Sequence, residues 1–319
     1  MTPIISAPGA YADIPMADYH RAANLLPGPS LSSSGAKTIL SQSAFHFWAD
    51  SPMNPDRPEE DSAPHFAVGK AAHDLLLLGG DWKRAYHVLP EGFAWNKTKA
   101  MPEEIAAAEH ARAKGKTLIK HDDMQLVERI ADRIGANPAA RNALVNGIPE
   151  MTLAWQDAET GVWLRARPDF LPYSVINGDE IRVVSDLKFM ASSHCSPSGF
   201  SRALANFGYH QSCAFYADGI KAIYGREPTH WLFIVVEKDD PHSVSLYTLP
   251  PADLARGRHQ NRKAINLFAE CLSRGTEAQH WPAYTAEPEM VGLPAWARKA
   301  IDTYGSLQEA ALISATEGE

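Results

Sequence analysis

Three charged side chains fall in stretches otherwise suited to burial. Asp169 closes Arg167-Pro168-Asp169, and Asp186 and Lys188 flank Leu187 in the run IRVVSDLKF, residues 181–189. Residues two apart share one face of a strand, so Asp186 and Lys188 point one way and Ser185 and Leu187 the other. Charges on a face of an apolar strand must pair or bind a metal to offset their desolvation. If the strand ending at Asp169 pairs antiparallel with the next, its carboxylate comes beside that of Asp186. Close carboxylates repel unless a cation lies between them. Mg²⁺ suits such a pair, because it takes oxygen ligands and is often held by one or two carboxylates plus substrate phosphate. Mn²⁺ is expected to substitute. The ion would make a bound water more acidic and stabilise charge on a phosphate under attack. Lys188 would position that water or stabilise the same charge. The plain alternative is an exposed Asp186–Lys188 ion pair. The preceding Arg-Pro-Asp, the apolar setting and a long helix downstream favour the metal centre.

Two further residues join this set. His73 lies in Val68-Gly69-Lys70-Ala71-Ala72-His73. On a helix, Gly69 is one turn earlier and clears space on the same face, so His73 is a candidate nitrogen ligand. The plain alternative is a locally bonded core histidine. Glu150 opens the first of three expected strands and is a candidate ligand or water-bridged acid. It reads equally well as an exposed strand-end carboxylate. Arg165 and Arg167 lie on the strand before Asp169 and are candidates to face DNA phosphates, or else to pair with nearby acids.

Composition sets the limits. The 319 residues allow one large domain or two small ones. A hydrophobic content of 45% suffices for a real core, and no apolar run is long enough to span a membrane. No basic-then-apolar leader opens the sequence, so a cytoplasmic location is expected. Three dispersed cysteines, Cys195, Cys213 and Cys271, argue against a disulfide framework or a cysteine zinc site. The net charge of −8 argues against coating nucleic acid by bulk attraction, but not against a local basic groove.

The pattern predicts the elements that must hold these residues. Residues 1–30 read as irregular, and 31–48 as one helix capped by Ser32 to Ser34. Four prolines make 51–64 a loop. Residues 66–79 read as an apolar helix, 92–125 as mobile or helical without a core strand, and 123–146 as a helix. Strands follow at 150–157, 162–170 and 181–188, the first two joined by a hairpin turn at Asp157–Gly161. A long helix is expected at 198–224, strands at 229–238 and 244–249, and a helix at 251–273. This order predicts an α/β fold, a mixed central sheet flanked by helices with a mainly helical N-terminal elaboration. The expected organisation is an irregular 1–30, one domain over 31–275, and a tail over 276–319.

Taken in order, Gly69 to His73, Pro149-Glu150, Arg167 to Asp169, Asp186 to Lys188, and YHQSCAFYADG at Tyr209–Gly219 resemble the RecE-type exonucleases. These belong to the RecB-like branch of the PD-(D/E)XK nucleases. The stretch LSSSGAKTILSQSAFHFW is similar to that family's opening helix, and the likeness spans most of residues 30–270. It implies a PD-(D/E)XK nuclease core that degrades linear double-stranded DNA from an end, 5′ to 3′ and processively, with Mg²⁺. It implies work beside a single-strand annealing protein in phage or prophage recombination and repair, and a homo-oligomer that can be a ring-shaped tetramer. By the same likeness His73, Asp169 and Asp186 are metal ligands, the Leu187 carbonyl faces the ion, and Lys188 is catalytic. Tyr216 carries over as the helix tyrosine. The family places a glutamine four residues earlier, where this chain has Ser212; its glutamine is Gln211, about 100° away around a helix. Competing readings are a nuclease for single-stranded or flap DNA, a non-catalytic DNA-binding module, and a metal hydrolase on another fold. The last lacks any His-Glu-x-x-His motif or histidine cluster.

Overall fold

β-Branched and aromatic runs bounded by Gly, Pro and Asn mark the strands. In the computed structural model they are β1 (Gly9–Tyr11), β2 (Ser30–Ser32), β3 (Tyr86–Val88), β4 (Thr117–Ile119), β5 (Gly147–Pro149), β6 (Thr152–Gln156), β7 (Trp163–Ala166), β8 (Phe170–Pro172), β9 (Val183–Met190), β10 (His230–Glu237) and β11 (Val244–Thr248). The structure describes residues 2–58, 66–78, 85–95, 101–285 and 287–303, without the side chains of 66–70 and 78. The expected surroundings of Gly69 and residues 59–64 of the expected loop therefore lie outside the described residues.

The strands form a five-stranded sheet ordered β11-β10-β9-β8-β5, a four-stranded sheet ordered β1-β6-β7-β2, and a β3-β4 pair. The larger sheet is mixed: β9 and β10 run parallel, and β8 meets β9 antiparallel through Phe170 and Ser185. The expected α/β class and mixed sheet are borne out. The three strands expected in succession do not share one sheet, however. The hairpin β6-β7 forms as expected, closed by Gly161 at φ +72° and by Asp157 accepting from the Thr160 amide. The run read as 162–170 then breaks at Pro168. Its end, β8, crosses into the other sheet.

Both faces of the larger sheet are covered. Phe233 and Val235 of β10 join a core with Trp155, Phe215 and Phe268, whereas Ile234 and Val236 face a second core with Leu187, Val127 and Ile130. Period-two alternation thus sorts one strand into two cores. Asp186 and Lys188 pair in register with Phe233 and Val235, and so emerge on the first face.

Several predicted helices are interrupted where the chain must turn. Ser32 caps Ser33–Ser41 as expected, but Ser43 caps a second helix, Ala44–Asp50. Pro138 ends the helix read as 123–146; it becomes His121–Ala136 and Pro138–Ala143. The helix read as 198–224 splits at Gly208 (φ +63°) into Pro197–Asn206 and Tyr209–Tyr224. The first 30 residues are not wholly irregular. β1 pairs with β6, and Ile5, Tyr19, Leu25 and Leu26 form a small core with Ala154. A three-residue strand offers too short an alternation to be read from sequence. The same holds for β4, which puts a core strand and the buried Ile119 inside 92–125.

The first compact unit runs Met1–Trp281, slightly beyond the expected boundary, because Trp281 is buried against Phe47 and Phe268. In the second unit, Pro282–Glu319, the described residues 295–303 are helical. Among the described residues no helix is long and apolar enough to cross a membrane.

The helix Pro251–Arg274 backs Tyr209–Tyr224 at Gly257, where a Cβ would lie 2.5 Å from the His210 carbonyl oxygen. Backbone cannot yield there as a side chain can. Gly257→Ala should cost about 1–3 kcal/mol of stability in denaturant unfolding; an unchanged midpoint would show that the helices separate freely.

Candidate functional site

Two crossings of the chain between the sheets create the site. Pro149-Glu150-Met151 carries the chain from β5 to β6, and Arg167-Pro168-Asp169 returns it from β7 to β8. The crossings touch: the Glu150 amide donates to the Asp169 carbonyl at 3.1 Å. Glu150 takes φ +52°, a left-handed conformation rare for a residue with a side chain and one that clusters at functional sites.

His73 reaches this junction from the helix Phe66–Leu78. Its Nδ1 lies 3.4 Å from Glu150 Oε1 and its Nε2 3.5 Å from Asp169 Oδ2. One ligand atom from each of His73, Glu150 and Asp169 lies within 4.8 Å of the others. Glu150, which sequence left balanced between ligand and strand end, therefore sits with the candidate ligands. Asp169 Oδ2 also accepts from the Leu187 amide at 2.9 Å. It is the amide of Leu187 that meets Asp169; its carbonyl lies 3.4 Å from Lys188 Nζ, which donates to it. Lys188 Nζ donates to Asp186 Oδ1 at 2.6 Å and lies 4.0 Å from Asp169 Oδ2. The strand-parity reading of Asp186 and Lys188 holds, and antiparallel β8-β9 pairing brings Asp169 beside them.

The charges are strongly coupled. Burial, reinforced by Asp169, pushes the Asp186 carboxyl up to about 7 against the pull of Lys188. Burial opposes ionisation of Asp169 too, but Lys188 and His73 hold it well below the usual carboxylate range. For His73, burial favours the neutral ring, yet Asp169 and Glu150 outweigh it and raise its pKa. One imidazole and clustered carboxylates, one of them made harder to ionise chiefly by burial, make a donor set that fits a divalent cation.

The other sequence-chosen residues fall into two groups. Tyr216 is close to the centre: burial, then Asp186 and Asp169, raise its hydroxyl pKa, and its ring packs 6.3 Å from Trp231. Gln211 is buried with Nε2 unpartnered among the described residues, while its backbone carbonyl accepts from Asn261. Gln211 lies in the first turn of the helix Tyr209–Tyr224, just after the break at Gly208. Arg167 is corrected from a phosphate contact to a structural strut. It is buried, lies 4.4 Å over the Tyr19 ring, donates to Thr152 Oγ1 and to the Ile14 carbonyl, and approaches Glu150 at 3.9 Å. Arg165 donates to Ser30 and leaves Nε buried without an acceptor among the described residues. It lines a cavity of about 430 Å³, with Asn24, Leu26, Ser30 and Met53 also in its wall and no carboxylate among the lining residues.

Sequence reasoning missed Lys37. It sits on the helix Ser33–Ser41, donates to the Phe207 carbonyl at 3.2 Å, and has its pKa lowered by burial and by Lys188. The only signal was a lysine beside the apolar positions Ala36 and Ile39, which does not distinguish it from a solvated one.

Without metal, Asp186 binds its proton more tightly in the folded chain than in the unfolded one, so its contribution falls as pH rises from the ordinary carboxyl range through about 7. In EDTA, Asp186→Asn should therefore melt above the wild type at pH 8, with the gap closing towards pH 4. Mn²⁺ at a hundred times its Kd should stabilise the wild type by about 2.7 kcal/mol and leave Asp186→Asn nearly unmoved. A wild type indifferent to divalent ions would remove the metal assignment.

No curated protein matches the chain. A crystal structure described as a "putative exonuclease" from Eubacterium rectale is similar in fold, with a TM-score of 0.52 at 12% identity, covering 83% of this chain and 90% of that one. A second, the crystal structure of SSO0001, gives a TM-score of 0.26 at 11% identity over 65% of this chain and 88% of that one. The model of the family described as "PDDEXK-like domain of unknown function (DUF3799)" matches residues 32–292. With both crossings, the Asp186–Lys188 strand and the flanking helices inside that span, the chain belongs to this PDDEXK-like family.

Proposed function

We propose that this protein is a Mg²⁺-dependent deoxyribonuclease that hydrolyses phosphodiester bonds of linear double-stranded DNA from an end, 5′ to 3′, in recombination. The observation that carries the reading is the convergence of His73, Glu150 and Asp169 beside the Asp186–Lys188 pair. In this reading His73, Asp169 and Asp186 hold the cation, joined by Glu150, and Mn²⁺ substitutes for Mg²⁺. The cation supplies Lewis acidity towards a phosphate and a more acidic bound water. Lys188, whose neighbouring carboxylates keep it protonated, orients the attacking water and offsets charge on the phosphate. Asp169 and Asp186 in turn fix the lysine. Tyr216, buried within electrostatic reach of Asp186 and Asp169, and Gln211 on the same helix are assigned to the site by the resemblance, and Arg165 offers a cation with no carboxylate partner among the described residues.

End-specific action is supported by the resemblance to RecE-type exonucleases and by the description of the Eubacterium rectale structure. A homo-oligomer, including a tetrameric ring, a single-strand annealing partner, and a phage or prophage setting with a repair role rest on the resemblance alone; a cytoplasmic location is proposed with them.

Incubation with Mg²⁺ and linear duplex, closed circular duplex, single strands or flaps tests the reading. The linear duplex should be degraded and the closed circle spared; cutting of the circle would replace the exonuclease with an endonuclease. Lys188→Ala should lower kcat roughly 10²–10³-fold. Arg165→Ala should leave kcat near wild type and reduce the salt dependence of DNA binding by about one phosphate contact; an unchanged slope would place Arg165 outside the DNA path.

A further inference from the structure

The break between the helices Pro197–Asn206 and Tyr209–Tyr224 leaves one large ring at the surface beside the site. Phe207 is 48% exposed. Its ring lies 5.6 Å from that of Tyr209, and the Tyr209 ring lies 5.1 Å from Lys188 Nζ. Inward, Tyr209 continues onto Phe200 and Phe233, each 6.2 Å away. A row of rings therefore runs from the core face of β10, past Lys188, to the exposed Phe207.

The backbone at that open end is held firmly. Lys37 Nζ binds the Phe207 carbonyl. Gly208 adopts φ +63°, and a Cβ there would lie 2.9 Å from Lys37 Cδ, so the lysine stem packs directly on the glycine. His194 stands edge-on to Phe207 at 6.0 Å. A lone exposed apolar side chain is ordinary and needs no explanation. This one is fixed by its backbone, backed by a ring and two contacts from the lysine of the site.

We propose that Phe207 is a base-stacking platform. The base of a nucleotide next to the bond being cut lies on its open face, and this holds the strand where Lys188 meets the phosphate. Every base offers a π face, so stacking tolerates any sequence, as an enzyme that degrades DNA end to end requires. The inference rests on the nuclease reading and names how that site grips its substrate. Phe207 positions the strand and takes no part in bond breaking; Lys37 braces the platform from behind.

Duplexes carrying a single abasic residue at successive positions from the end provide the test, cut by wild type, Phe207→Ala and Phe207→Trp. The wild type should slow at one abasic position. Phe207→Ala should raise KM roughly tenfold on intact DNA, keep most of kcat and lose that position dependence; Phe207→Trp should restore both. A Phe207→Ala enzyme with wild-type KM, or with the wild-type abasic profile, overturns the platform. Binding is read separately in EDTA, where Phe207→Trp emission, less that of the eight native tryptophans, should be quenched by an intact oligonucleotide. It should be quenched less by one lacking the base at the sensitive position, and equal or absent quenching overturns the proposal. Base-dependent quenching in a protein that cuts no nucleic acid would instead leave the platform standing and remove the nuclease reading.

Discussion

One backbone hydrogen bond, from the Glu150 amide to the Asp169 carbonyl, joins the two places where the chain passes between its sheets. Everything chemical about the molecule is arranged around it. A strand must end to change sheets, and at each ending a carboxylate is released from the alternation of the pleat. Glu150 accepts a left-handed backbone there, and Asp169 follows a proline that cannot extend the ladder. The two acids meet because their crossings meet, not because they are neighbours in sequence. Arg167 secures the junction from behind. Its guanidinium ties β7 to Thr152 of β6 and to the Ile14 carbonyl of the N-terminal segment. Thus the first residues of the chain help set the geometry of an acid more than 130 positions later.

The electrostatics have the same origin. The sheet delivers Asp186 and Lys188 on the face covered by Tyr209–Tyr224, where water is largely excluded. Asp169 and Asp186 then compete for the same lysine; Asp169 keeps its charge, and Asp186 is the carboxyl that burial makes costly to ionise. The fold holds this cluster together through surrounding apolar packing, at an energetic cost that a bound cation would relieve. Lys37 adds a second amine at the edge of the cluster, held by a carbonyl rather than an acid. The site therefore grades from acidic at the crossings to cationic at the helix break, which is the polarity a metal-assisted reaction on a phosphate needs.

Much of this was legible beforehand. The Asp-Leu-Lys strand announced its own face, since parity is a local property. The hairpin at Asp157–Gly161 carried its turn residues in plain view. The Ser32 cap was readable too. What failed to read were interruptions and short pieces. Gly208 and Ser43 break helices whose apolar spacing continues on either side, and nothing local states that the chain must bend there. β1, β2 and β4 are three residues long, too short for any periodicity to show, and they exist because neighbouring edges need partners. Arg167 looked like a phosphate ligand because the groups it donates to, Thr152 and the Ile14 carbonyl, are not acidic, and the acid it approaches, Glu150, lies across the hairpin.

The sequence by itself determined which charges share a face and which residues could begin or end an element, because those depend on spacing along one chain. Only the tertiary structure decided that Asp169 and Glu150 meet, that His73 arrives between them, and that Arg167 is a strut while Lys37 borders the site. Those outcomes depend on where the chain leaves one sheet for the other and on which buried donors find acceptors across it, and such long-range pairings leave no pattern in local composition.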